Sequence, residues 1–84
     1  MKDNTYIFLN RDVAESVMLA CELVDVMPSS IGFEPVKGVI KANAPQVKTL
    51  LSMLEYLTET AEENDQDIPN DDLALLITFL KEQA

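Results

Sequence analysis

The residues best suited to chemistry are the carboxylates of residues 59–72, which read ETAEENDQDIPNDD and include no basic residue. Their first possible role is calcium binding, because an EF-hand loop supplies oxygen ligands at alternate positions. With Asp65 at the first position, Asp67 and Asp71 occupy the third and seventh. The template fails at its fifth, sixth and twelfth positions, which hold Pro69, Asn70 and Leu76. Since the sixth position requires glycine and the twelfth glutamate, the pattern excludes this metal loop.

Catalytic chemistry is disfavoured along the whole chain. The sequence has no histidine, which removes the commonest general base and transition-metal ligand. Cys21 is the only cysteine, and its apolar neighbours indicate a core residue rather than a nucleophile. The clustered carboxylates occupy a polar loop, whereas acid–base catalysis needs a desolvated pair. We therefore expect no enzymatic activity, no catalytic residue, no metal and no cofactor.

A second possible role of the acidic residues is electrostatic. Four glutamates on the helix predicted for residues 44–64 lie within about 100° of one another, opposite its leucines. The row continues into four aspartates around the following corner. We call this set the acidic ridge, and it comprises Glu55, Glu59, Glu62, Glu63, Asp65, Asp67, Asp71 and Asp72. Fixed negative charges on a rigid element can bind a basic protein surface, including one built for nucleic-acid phosphates. The alternative is that the acidic ridge is a solvated surface that keeps the protein soluble and has no specific partner.

Length and charge limit the classes of protein. Eighty-four residues predict one small acidic helical domain spanning residues 1–84. The net charge of −9 disfavours direct binding to nucleic acid or to an anionic membrane and favours a basic protein partner. The N-terminal apolar run is too short for a signal peptide, and no stretch approaches the roughly twenty apolar residues of a membrane span. We expect a cytoplasmic location, in a bacterium or in the host of a virus.

The elements that must position the ridge follow from hydrophobic spacing. Residues 5–9 predict a short buried strand, which needs a partner strand in the same chain or in a second copy. Residues 11–27 predict a helix, with Asp12 and Glu15 as a capping box. Residues 28–35 predict a turn-rich loop.

The second half of the chain predicts two more helices. Residues 44–64 carry Pro45 at the helix start and a regular apolar face formed by Val47, Leu50, Leu51, Leu54, Leu57 and Ala61. Residues 68–84 predict the last helix, with Asn70 as its N-cap. Residues 36–43 fit either a short helix, which we favour, or a strand. The expected fold is mainly α, a compact three- to four-helix domain with a short N-terminal β-strand, or α+β if residues 36–41 form a second strand.

Two functional hypotheses remain. The first is a small interaction protein that inhibits or regulates a partner by binding its basic surface through the acidic ridge. In its sharpest version, that surface binds nucleic acid and the ridge mimics the nucleic acid. In size and charge alone, the chain is similar to small acidic helical proteins of phage and bacterial conflict systems. The alternative is an obligate dimeric structural or regulatory subunit, in which the wide apolar faces of helices 11–27 and 71–82 bind another copy.

Overall fold

A computed structural model describes residues 4–83, which form three α-helices and a three-stranded antiparallel sheet. In chain order the elements are β1 (Thr5–Phe8), α1 (Arg11–Leu23), a 3₁₀ turn (Pro28–Ile31), β2 (Phe33–Glu34), β3 (Val39–Ala42), α2 (Ala44–Glu63) and α3 (Asn70–Gln83). The predicted mainly α class is confirmed, with three α-helices, and β3 is the second strand that the α+β alternative requires. A third strand, β2, and a 3₁₀ turn occupy most of residues 28–35, the segment predicted as a loop.

The helical interpretation of residues 36–43 is wrong. This segment contains β3, the central strand, which pairs antiparallel with both other strands. Ile40 lies opposite Ile7 of β1 and Phe33 of β2, and its side chain is fully buried. Two paired neighbours outweigh a weak helical spacing, because unpaired strands would leave buried backbone groups without hydrogen bonds. The partner that β1 needs therefore comes from the same chain.

Strand β1 is buried on one side only, which corrects the expectation of a fully buried strand. Thr5 and Ile7 are buried, whereas the side chains of Tyr6 and Phe8 are 57% and 80% exposed. The strand order β1–β3–β2 places β1 at an edge of the sheet. An antiparallel sheet that covers the core with one face gives this alternation.

The N-cap of helix α1 lies two residues earlier than the predicted capping box implies. The N-cap is Asn10, whose side chain accepts a hydrogen bond from the Val13 backbone N–H at 2.8 Å. Asp12 instead lies in the first turn, where a negative charge suits the helix dipole. The predicted Asp12–Glu15 capping box is thus wrong, because Asn10 supplies the cap.

Helix α1 also ends earlier than predicted, at Leu23 rather than at residue 27. The Val26 N–H donates to the Cys21 carbonyl at 2.9 Å, and the Asp25 N–H donates to the Glu22 carbonyl at 3.4 Å. Asp25 has a φ of 56°, so the chain forms the left-handed turn of a Schellman motif. Val24 and Val26 therefore pack against the core from a loop, whereas Met27 is 70% exposed.

Helix α2 is the predicted amphipathic helix, with a capping box at its start. The Asn43 side chain accepts from the Gln46 N–H at 2.9 Å, and the Gln46 side chain accepts from the Asn43 N–H at 2.8 Å. Pro45 lies in the first turn, as predicted. The buried residues of this helix are Val47, Leu50, Met53, Leu54, Leu57 and Ala61, while Leu51 is partly buried.

Helix α3 packs against α2 and contributes three leucines to the core, Leu73, Leu76 and Leu80. It begins at Asn70, which is therefore its first helical residue rather than the predicted cap before it. Leu75 and Phe79 stay 71% and 36% exposed. Part of the wide apolar face predicted for this helix thus lies outside the core.

Candidate functional site: an acidic corner

All eight residues of the acidic ridge are exposed. Three of them, Glu59, Glu62 and Asp65, line one open groove of about 520 Å³ where α2 ends. Gln66 and Asn70 complete its polar lining. The structure therefore brings together the central part of the predicted ridge, on the last turns of α2 and the residues that follow.

The end of α2 holds Asp65 in position by backbone hydrogen bonds. The Gln66 N–H donates to the Ala61 carbonyl at 2.8 Å, and the Asp65 N–H donates to the Glu62 carbonyl at 3.3 Å. Asp65 has a φ of 52°, in the left-handed region. The left-handed turn at Asp65 thus ends the helix, and an aspartate occupies the position where helices most often have glycine.

The start of α3 forms the second part of the corner. Asp71 and Asp72 lie in its first turn, where the positive end of the helix dipole favours them. They line an adjoining groove that shares Asn70 with the first. Asp72 also accepts a hydrogen bond from the Asn10 side chain at 3.3 Å, which links the start of α3 to the cap of α1.

Asp67 belongs to a third part of the corner, together with two acidic residues that the ridge prediction omits. It lines a groove of about 440 Å³ with Asp12 and Glu15 of α1. This groove shares Ile68 and Pro69 with the groove at the start of α3. The Asp12–Glu15 spacing puts both carboxylates on one side of a helix, but sequence alone does not show that Asp67 packs beside them.

Two members of the ridge, Glu55 and Glu63, line none of these three grooves. Glu55 forms an ion pair with Lys81 of α3, with 3.7 Å between the carboxylate oxygen and the amine nitrogen. Glu63 is exposed at the last residue of α2. Glu55 is therefore already neutralised in part. We use the name acidic corner for the remaining carboxylates and their α1 neighbours: Asp12, Glu15, Glu59, Glu62, Glu63, Asp65, Asp67, Asp71 and Asp72.

The described residues bear on two further kinds of chemistry, metal binding and thiol reactivity. Within residues 4–83, no three acidic or cysteine side chains converge closely enough to hold a metal ion. Cys21 is buried, and this burial, followed by the nearby charge of Glu22, raises the pKa of its thiol. A buried thiol with a raised pKa stays protonated at neutral pH and is a poor nucleophile.

The apolar helix faces that the alternative hypothesis assigns to dimerisation differ in how far this chain buries them. Helix α1 buries Val13, Val17, Ala20 and Cys21 within the chain. The exposed large apolar side chains instead include Tyr6 and Phe8 on β1 and Leu75 and Phe79 on α3. The face predicted for α1 is thus mostly part of this chain's own core.

None of the helices among residues 4–83 has the length and apolar character needed to span a bilayer. Comparison with protein-family models, with curated proteins and with solved structures finds no match to this chain.

Proposed function

We propose that this protein is a non-enzymatic inhibitor or regulator that binds a basic, nucleic-acid-binding surface of another protein through its acidic corner. The observation that supports it most is the convergence of carboxylates from α1, α2 and α3 on three adjoining grooves. A negative surface of this extent attracts positive surfaces over several ångströms and accelerates association.

Few positively charged side chains neutralise the acidic corner. Ion pairs between residues 4–83 join Arg11 to Glu15 at 3.9 Å and Lys81 to Glu55 at 3.7 Å near the corner. Each of these side chains is at least half exposed, so the pairs contribute little and can reopen to a partner. The central carboxylates, Glu59, Glu62 and Asp65, are therefore the charges that we assign to partner binding.

The position of Glu62 and Glu63 adds a second argument. Both lie in the last turn of α2, where the negative end of the helix dipole disfavours a carboxylate. The positive charge of a bound partner would offset this unfavourable interaction, which supports a binding role for the two glutamates. The same charges would compete with nucleic acid for a surface that binds phosphates.

The test compares two triple variants that remove the same number of charges. The corner variant carries Glu59→Gln, Glu62→Gln and Asp65→Asn. The matched control carries Glu22→Gln, Glu82→Gln and Asp25→Asn, all exposed residues outside the corner. Asp25 and Asp65 share the left-handed backbone conformation, so the Asp-to-Asn changes are equivalent in backbone strain.

The partner is captured from an extract of the source or host cell at low salt and then titrated in purified form. We expect the corner variant to lose affinity by more than about tenfold, and the control to stay within about twofold. Affinity should also fall steeply as salt rises, and duplex DNA should compete. Equal losses in both variants, or an affinity that salt leaves unchanged, would refute the proposal.

A further inference from the structure

The outer edge of β1 carries backbone groups that no strand within residues 4–83 pairs. The Leu9 N–H donates to the Gly38 carbonyl at 2.8 Å, so Leu9 and Gly38 form a hydrogen-bonded pair. In an antiparallel ladder such pairs alternate, so Ile7 and Thr5 also direct their backbone groups toward β3. The N–H and C=O groups of Tyr6 and Phe8 therefore point away from the sheet, into the free edge.

Among the described residues, this edge lacks the usual protection against pairing. Sheet edges in proteins are commonly blunted by lysine, proline, a bulge or a covering element. The sequence of β1 is TYIF, and its register against β3 is unbroken from Thr5 to Phe8. The side chains of Tyr6 and Phe8 stand on the outer face of the sheet, where Lys41 lies 5.7 Å from the Tyr6 ring centroid.

Helix α3 extends the apolar surface along the same edge. A groove of about 200 Å³ separates the edge from the helix, and Phe8, Val13 and Leu76 contribute to its apolar lining. Asp72 accepts a hydrogen bond from Asn10, and Leu76 lines the same groove as Phe8, so the first turns of α3 lie near the end of β1. Phe79, 36% exposed, lies one turn further along α3.

We propose that the free edge of β1 binds the same edge of a second copy of this chain, giving a symmetric dimer with a continuous six-stranded sheet. The two-fold axis passes through Ile7, and the two β1 strands run antiparallel. Tyr6 then lies opposite Phe8 of the second copy, and Phe8 opposite its Tyr6. This register satisfies all four outward groups of each strand, and it forms two cross-strand aromatic pairs.

The exposed area meets the lower requirement of a specific dimer. An aromatic side chain offers roughly 150–250 Å², so Tyr6, Phe8 and Phe79 at their exposed fractions offer on the order of 300–400 Å² per copy. With Leu75 and the backbone edge, two copies would bury at most about 1,000 Å², which is the lower limit for a specific interface. A weak, reversible dimer follows from this size.

The charge distribution favours binding of a second copy at the β1 edge over binding elsewhere on the surface. Each copy carries a net charge of −9, which opposes association. Residues 4–10 include no acidic side chain. The antiparallel arrangement also separates the two Asp72 carboxylates toward opposite ends of the paired strands. The edge is therefore a surface on which two copies meet with little like-charge repulsion.

Sedimentation velocity over a range of protein concentrations tests the dimer, with Phe8→Lys as the disrupting variant. We expect this change to weaken dimerisation at least about tenfold, because it places a charge on the pairing edge. Val36→Lys is the matched control, since Val36 is 101% exposed in the β2–β3 turn, away from the edge. It should stay within about twofold of the unchanged protein.

Tyr6→Pro, compared with Tyr6→Ala, tests the backbone pairing apart from the loss of the Tyr6 ring. Proline removes the Tyr6 N–H, which points outward, so the ladder with β3 keeps its hydrogen bonds while the symmetric dimer loses two. Hydrogen exchange adds a direct readout: the amides of Tyr6 and Phe8 should exchange at least about tenfold more slowly in the dimer. Circular dichroism checks that each variant is folded.

Three outcomes would overturn the inference. They are a monomer at every concentration, a dimer whose Tyr6 and Phe8 amides stay unprotected, and a dimer that Leu75→Lys disrupts while Phe8→Lys does not. The salt response separates this dimer from the proposed partner binding. Dimerisation of two negative chains strengthens as salt screens their repulsion, whereas binding of a basic partner weakens.

Discussion

Two aspartates, Asp25 and Asp65, hold the same backbone role at the ends of α1 and α2. Each occupies the left-handed residue of a Schellman motif, with φ values of 56° and 52°. Glycine is the usual residue there because a Cβ atom costs energy in this conformation. Asp25 lies outside the acidic corner and Asp65 within it, so backbone strain alone does not mark the corner as functional.

Replacing either aspartate with glycine separates the structural cost from the functional charge. We expect Asp65→Gly and Asp25→Gly each to raise the free energy of unfolding by about 1 kcal/mol, because glycine adopts the left-handed conformation without steric penalty. Urea denaturation measures this change. Only Asp65→Gly should also weaken partner binding. A destabilised Asp65→Gly protein would show instead that the carboxylate itself supports the turn.

At the level of elements, a segment could be predicted when the spacing of its own apolar residues was enough to determine its structure. Helix α2 could be predicted because its apolar residues repeat at one helical face and Pro45 marks its start. β3 could not, because Val36, Val39 and Ile40 have helical spacing while Val36, Gly38 and Ile40 alternate as on a strand. Pairing of Ile40 with Ile7 and Phe33 decides between the two. Such pairing is a tertiary property that a local pattern does not contain.

The sheet depends on two glycines with positive φ, which differ in their surroundings. Gly32 has a φ of 72°, and a Cβ atom there would overlap the Lys41 carbonyl of β3. Gly38 has a φ of 68°, but its nearest neighbour, the Leu9 carbonyl oxygen, would lie 3.2 Å from a Cβ atom. Gly32 also accepts a hydrogen bond from the Lys41 N–H at 2.8 Å, so the loop cannot easily move away.

We therefore expect Gly32→Ala to destabilise the protein by at least about 2 kcal/mol, from backbone strain plus overlap with β3. Gly38→Ala is the matched control, and it should cost about 1 kcal/mol from strain alone. Thermal or urea denaturation followed by circular dichroism measures both. Equal losses would mean that the close approach of residue 32 to β3 contributes nothing.

For the whole molecule, the position of the acidic residues was more predictable than their grouping. All eight ridge residues are exposed, as their polarity and helical spacing indicate. Asp67 faces Asp12 and Glu15, and Glu55 pairs with Lys81, because the packing of α1 and α3 against α2 decides these neighbours. Contacts between elements far apart in sequence are not encoded in the spacing within one element.

The charge of the whole molecule makes a prediction about stability. The net charge is −9, and Glu59 lies one turn from Glu55, Glu62 and Glu63 on α2. Like charges at this spacing each cost roughly 0.2–0.5 kcal/mol, so together they destabilise the fold by about 1 kcal/mol. The surface ion pairs of the described chain, all at least half exposed, offset little of this.

Raising the salt concentration from about 0.01 M to about 0.5 M should therefore increase the free energy of unfolding by about 1 kcal/mol, as the screening length falls below the separation of the charges. Urea denaturation at two protein concentrations measures this, because a contribution from dimerisation depends on protein concentration and screening does not. The corner variant Glu59→Gln, Glu62→Gln and Asp65→Asn should lose most of the gain, because each of the three repulsive pairs includes Glu59. The control variant Glu22→Gln, Glu82→Gln and Asp25→Asn should keep most of it. The same salt response in both variants would place the repulsion across the whole surface rather than at the acidic corner.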